Sequence, residues 1–334
     1  MGVPIAAAGV TVLQGNRVEA QGQAITLYTS RHYDTDRQLY EAYTRETGIR
    51  VNVVQADAPN LLARLKSEGA NSPADILMTV DAANIGRAQA ENLFQPVRSP
   101  ILERRIPSAF RDPQGHWYAL TRRVRAIMYN RDRVQASELS TYADLADPKW
   151  RGRLISRSSS SVYNQSLLAA MIALRGEPAA EAWVRGIVAN FKRPPQGNDT
   201  AQIMAVAAGE ADLTFVNTYY LPRLMKSNQE SDRRAAAQIG VFFPRPAHTN
   251  ISGAGILRTS RNRAGALRFL EFLTSPEAQE NFAAGNNEYP IVAGVPWAPE
   301  LAAFGSFVSE PVTVMDMARN NARAVQIADR AGWR

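Results

Sequence analysis

Apolar positions along the chain switch between two periods. Ala24 to Thr29 (AITLYT) is a short run of strand-forming residues, and Ile49 to Gln55 (IRVNVVQ) alternates as a half-buried strand does. Between them Asp36 to Thr47 has helical spacing and is closed by Gly48, the residue that most easily takes a left-handed cap. The helix Leu61 to Glu68, the strand Asp75 to Val80 and the helix Ala82 to Glu91 follow, and this βαβαβα order predicts a parallel sheet. Val124 to Asn130 and Leu213 to Val216 read as further strands, while Val162 to Leu174, Pro178 to Ala189 and Thr200 to Ala208 have helical patterning. Thr274-Ser275-Pro276-Glu277 opens a helix with proline near its first position and an acid in its first turn, and Pro311 to Ala331 is an amphipathic closing helix. No internal repeat interrupts the series. The predicted fold class is therefore α/β with two lobes and a ligand cleft between them. Thr121 to Ala126 and Pro244 to Gly253 are the expected crossings, which puts residues 21–122 and 249–300 in a first lobe and 123–248 and 301–334 in a second.

Composition fits this division. A chain of 334 residues, 45% hydrophobic and 21% charged, can bury more than one core. It contains no run of 18 apolar residues of the kind that spans a bilayer. Residues 1–20 differ from the rest: Ile5 to Leu13 is apolar and Val18-Glu19-Ala20 suits a signal peptidase, so an export signal or leader is expected here. It lacks a basic start, as Met1 is followed by Gly-Val-Pro, which suggests a truncated signal. Cysteine is absent and only His32, His116 and His248 supply imidazole, so zinc or copper sites built on those donors are not expected. The net charge of 38 − 31 = +7 is spread along the chain without a basic block, and nucleic acid is not an expected partner.

The candidate chemistry lies in His32-Tyr33, Tyr163 and Tyr219-Tyr220. Each follows a segment that reads as a buried strand, and in α/β folds the chain leaving the carboxyl ends of strands converges on the ligand cleft. Phenolate is a hard anionic donor that matches a hard, highly charged cation, of which Fe³⁺ is the commonest in biology. Taken singly the residues are ambiguous. Consecutive residues on a regular helix diverge, so Tyr219 and Tyr220 can share a cleft only from the irregular turn after Leu213 to Val216, where Pro222 fits the start of a helix. Tyr163 follows Arg157-Ser-Ser-Ser-Ser161, which is either a flexible loop with a serine cap or a donor-rich helix entry. Tyr33 precedes Asp34-Thr35-Asp36, which also reads as a plain loop before a capped helix, and a loop histidine such as His32 is as readily solvent-facing as ligating.

A resemblance resolves these alternatives. Tyr28-Thr-Ser-Arg-His32-Tyr33-Asp-Thr-Asp36, Lys66-Ser-Glu-Gly-Ala-Asn-Ser-Pro-Ala-Asp75, Arg123-Val-Arg125-Ala-Ile-Met-Tyr-Asn130 and Phe215-Val-Asn-Thr-Tyr219-Tyr220 stand in the order found in ferric-iron-binding proteins of bacterial ABC importers. From about residue 24 onward the chain resembles the tyrosine-rich subgroup of that family, which has the type II periplasmic-binding-protein fold with a hinge of crossing strands. The resemblance implies Tyr33, Tyr163, Tyr219 and Tyr220 as ferric ligands, with His32 ligating in some members only. It further implies a periplasmic, non-enzymatic, monomeric carrier that delivers Fe³⁺ to an inner-membrane permease. Four phenolates on Fe³⁺ leave a net charge of about −1 in a desolvated cleft, so a nearby cation is expected. Arg123 and Arg125, on one face of a strand by alternation, are the candidates; the family match favours Arg123, whereas Arg125 also reads as a packing salt bridge. A synergistic carbonate would add further negative charge and is not expected. The alternative is a related binding protein for an organic or anionic solute such as a polyamine, thiamine or phosphonate. No G-x-S-x-G or H-E-x-x-H motif supports an enzyme.

Overall fold

Strand-forming runs of the sequence assemble into nine strands in the computed structural model, which describes residues 24–334. The leader expected at residues 1–20 lies outside the described residues. The strands are β1 (Ala24–Thr29), β2 (Arg50–Gln55), β3 (Ile76–Thr79), β4 (Tyr118–Asn130), β5 (Leu154–Ile155), β6 (Leu213–Asn217), β7 (Ile239–Phe242), β8 (Thr249–Ile256) and β9 (Tyr289–Pro290). Their order is β2-β1-β3-β8-β4-β6-β5, with β7 and β9 also on β4. As the alternating helices require, β1 is parallel to both β2 and β3.

The strand β4 belongs to two sheets. From Tyr118 to Val124 it pairs antiparallel with β8, and from Arg125 onward it pairs with β6 and then β7. β4 begins at Tyr118 through its pairing with β8, and the sequence pattern shows it only from Val124 because Arg122-Arg123 interrupts the apolar run although Arg123 is buried. β2 departs from expectation as well. None of its residues is fully buried, since it is an edge strand paired on one side only.

Two main cores flank this strand. The first gathers Ile25, Leu27, Ile76 and Leu77 under the helices Asp34–Thr47, Ala58–Glu68 and Arg263–Leu273. The second is built on Ile127, Leu213, Phe215 and three tryptophans, Trp150, Trp183 and Trp333. The helix Val314–Arg330 serves both: Val314 and Met317 enter the first core, and Ala324, Ile327 and Ala328 the second. It can lie against the helix Ala82–Ala90 only because Gly86 has no side chain. A Cβ there would stand 2.5 Å from Ala318 Cβ and 3.1 Å from the Val314 carbonyl. Gly86→Val is therefore expected to lower the urea midpoint by overpacking, at about 1–3 kcal/mol. An unchanged midpoint would show that the two helices can separate freely.

Candidate functional site

Three chain segments bring the four tyrosines to one place, and local structure fixes each. Tyr33 sits in extended conformation at the head of the helix Asp34–Thr47, just after β1. Its loop is held by Arg31, whose guanidinium is fully buried and grips Asp36 with Nε–Oδ2 at 2.6 Å and Nη2–Oδ1 at 3.0 Å. Tyr163 is in the first turn of the helix Val162–Arg175. Tyr219 occupies the turn after β6, with Tyr220 opening the helix Tyr220–Met225. That turn is pinned to the crossing strand, since Thr218 N–H donates to the Val124 carbonyl at 2.9 Å. Pro222 fits the first turn of this helix, where a missing N–H is harmless.

The rings meet across the two sheets. Tyr219 and Tyr220 have centroids 4.4 Å apart, and Tyr33 meets Tyr219 edge-on at 6.3 Å. Tyr163 is close enough to raise the proton affinity of the other three phenols, although burial is the largest cause in each case. Tyr33 and Tyr219 are held well above the ordinary phenol range, and Tyr220 is pushed up to about 12. For Tyr33 the next cause is Glu288, opposed by Arg31 and Arg123. His32 is solvent-exposed and stacks on Tyr33 at 5.2 Å. It lines a cleft of about 580 Å³ together with Tyr163, Tyr220 and Arg157.

Positive charge surrounds these rings. Arg123 is 1% exposed and its Nη1 donates to Ser252 Oγ at 2.9 Å, while its Nε and Nη2 have no partner among the described residues. Arg125 lies beside it but is consumed by the protein: it donates to both oxygens of Asp199 at 2.6 and 3.3 Å and to Asn164 Oδ1 at 2.7 Å. Both guanidiniums stand about 6 Å from the Tyr163 ring, consistent with one face of a strand (5.8 and 6.0 Å). Three contributors escaped sequence reasoning. Arg223 lies 4.9 Å from the ring centres of both Tyr33 and Tyr219, and its spacing from Tyr219 and Tyr220 on a short helix was the available signal. Asp199 anchors Arg125 and accepts the Asn217 N–H at 3.0 Å. Glu288, fully buried, accepts from Arg31 at 2.9 Å and lies 3.8 Å from Arg123, and nothing in its sequence context signals it.

Among the described residues no group of three or more His, Cys, Asp or Glu side chains is placed to hold a metal. A phenol held protonated above neutrality gives up its proton only to a strongly competing cation.

Comparisons with known proteins agree with one another. The family model for bacterial extracellular solute-binding proteins matches residues 38–305. The chain is 51% identical over 316 residues to iron uptake protein A1 of Synechocystis, covering 93% of this chain and 88% of that protein. Its fold is similar to that of a Trichodesmium protein (IdiA, FutA) solved with iron and citrate, with a TM-score of 0.89 and 50% identity over 93% of this chain and 100% of the other. A ferric binding protein from Campylobacter jejuni superposes with a TM-score of 0.88 at 37% identity, covering 93% and 100% of the two chains.

Proposed function

The chain belongs to the bacterial extracellular solute-binding proteins and has the two-lobed type II periplasmic fold, and on that premise we propose that it captures ferric iron between its lobes and hands it to an ABC importer. The observation that carries this reading is the convergence of four phenols from both sheets with unpartnered guanidinium nitrogen behind them. Tyr33, Tyr163, Tyr219 and Tyr220 are the ligands, His32 is a fifth candidate at the cleft edge, and Arg123 offsets the negative charge of the loaded site. Arg125 is a support, since Asp199 already neutralises it. We take the lobes as 21–122 with 249–300 and 123–248 with 301–334, and the change of partners along β4 at Val124 and Arg125 supports a hinge there.

Iron docks first on Tyr163, Tyr219 and Tyr220 of the second lobe, and Tyr33 then draws the first lobe over it. Ligands from both lobes give the closed state its differential affinity. The chain is a monomeric periplasmic carrier rather than an enzyme, its partner is an inner-membrane permease, and carbonate is not required. A cationic organic solute such as a polyamine or thiamine fits poorly, because Arg31, Arg123 and Arg223 all face the rings.

Ferric titration tests this directly, because phenolate bound to Fe³⁺ gives a charge-transfer band. A colourless titration would remove iron from the site. The pH dependence follows from the raised phenol pKa values. Phenols bind only when deprotonated, and burial holds Tyr33, Tyr219 and Tyr220 protonated at neutral pH, so loading expels protons and affinity rises with pH. Apparent affinity is expected to fall by about tenfold per pH unit for each proton displaced as the solution is acidified. A pH-independent affinity would mean that phenolate is not the donor.

A further inference from the structure

Three consecutive residues at the end of the helix Pro276–Asn286 receive contacts from three directions. Asn286 is bonded to the first turn of the helix that Tyr33 heads: Thr35 Oγ1 donates to its Oδ1, and its Nδ2 donates to Asp36 Oδ1 at 2.8 Å. Glu288 takes Arg31, the side chain that holds the Tyr33 loop. Between them Asn287, left-handed at φ 56°, accepts from Lys226 Nζ at 2.7 Å. Lys226 also pairs with Glu300 at 2.9 Å. Its ammonium thereby meets the C-terminal end of the helix Pro276–Asn286, where the aligned peptide dipoles favour positive charge.

Lys226 arrives from the other sheet. It is the capping residue of the helix Tyr220–Met225, and its backbone N–H donates to the Pro222 carbonyl at 3.0 Å. A six-residue helix therefore presents Tyr220 and Arg223 to the site and delivers Lys226, at its far end, to a segment that leads into β9 and pairs with the first half of β4. Asn287 binds Lys226 while the residue before it binds the helix that Tyr33 heads, so the two sides of the cleft are joined without any metal.

We propose that Lys226 is an interlobe clasp, which ties the short helix carrying Tyr220 to the Asn286-Asn287-Glu288 segment carrying the Tyr33 loop and holds the cleft closed over its cargo. This rests on the reading of the cleft as a closing ferric site. The clasp resists opening from outside the ligand set, so it slows release and leaves coordination untouched.

The experiment compares wild type with Lys226→Met and with Asn287→Gly, a change that tolerates the left-handed backbone. Ferric release to excess EDTA is followed by the visible band, and metal-free samples are compared by solution scattering. Because the pair is partly exposed, each variant is expected to release iron roughly two- to fivefold faster, with the band unmoved. The double variant should add little, as both changes break the same contact. The clasp biases the metal-free population toward closure without completing it, so metal-free Lys226→Met should be less compact than metal-free wild type, which itself contracts further on loading. Wild-type release rates in both variants, with superimposable metal-free scattering, would overturn the clasp. Absence of a visible band in wild type would instead defeat the ferric reading, and the metal-free scattering would still decide whether Lys226 closes the cleft.

Discussion

Tyr219→Phe is expected to weaken ferric binding by more than about a hundredfold, since outer groups that merely orient a metal's ligands are already worth about 10–100-fold. The change keeps the ring, so its packing against Tyr220 and its edge contact with Tyr33 survive, and the fold should be unaffected. What is lost, on the proposed ligand set, is one anionic oxygen donor. Tyr33→Phe should behave differently. On the proposed ligand set and lobe division its phenol is the first lobe's contribution, so the variant should retain a weaker, coloured complex on Tyr163, Tyr219 and Tyr220 but fail to contract on loading. Titration by the visible band and scattering with and without Fe³⁺ read these two effects separately. Equal compaction of Tyr33→Phe and wild type would show that closure does not depend on the first-lobe phenol, and full affinity in Tyr219→Phe would remove that residue from the site.

The second large effect is on stability. Asp199→Ala should destabilise the protein by about 3–5 kcal/mol, because it leaves the guanidinium of Arg125 buried at 1% exposure with only neutral partners. Asp199 also accepts the Asn217 N–H, so the turn that presents Tyr219 loses an anchor at the same time. The combined variant Arg125→Met, Asp199→Leu removes both charges and should recover much of the loss, the mark of a coupled pair. Urea midpoints of the three variants measure this. Additive losses in the combined variant would show that each residue acts through other contacts.

Much of this was legible in the sequence, and the exceptions share a cause. Alternating apolar runs revealed the first three strands and their helices because each sits over one continuous core. The tyrosines are ambiguous one by one and stand out only through the ordered motifs shared with ferric-binding proteins; the structure brings Tyr33, Tyr219 and Tyr220 into ring contact. β4 was read too short, since Arg122 and Arg123 look like surface residues until Ser252 and Glu288 are seen opposite Arg123. Asp199 and Glu288 stayed invisible for a related reason. A lone carboxylate in sequence carries no sign of the arginine that folding brings to it from 74 residues away, as with Arg125 and Asp199, or from 257, as with Arg31 and Glu288. Pairings of that separation belong to topology, and local patterning does not encode them.

The helix Val314–Arg330 has a consequence for how the protein is made. Because Val314 and Met317 complete one core and Ala324, Ile327 and Ala328 the other, a nascent chain halted before this helix has two unfinished interiors. Neither half reaches its final stability until this helix is in place. One segment thus completes both interiors, and the two halves gain their last packing in a single step.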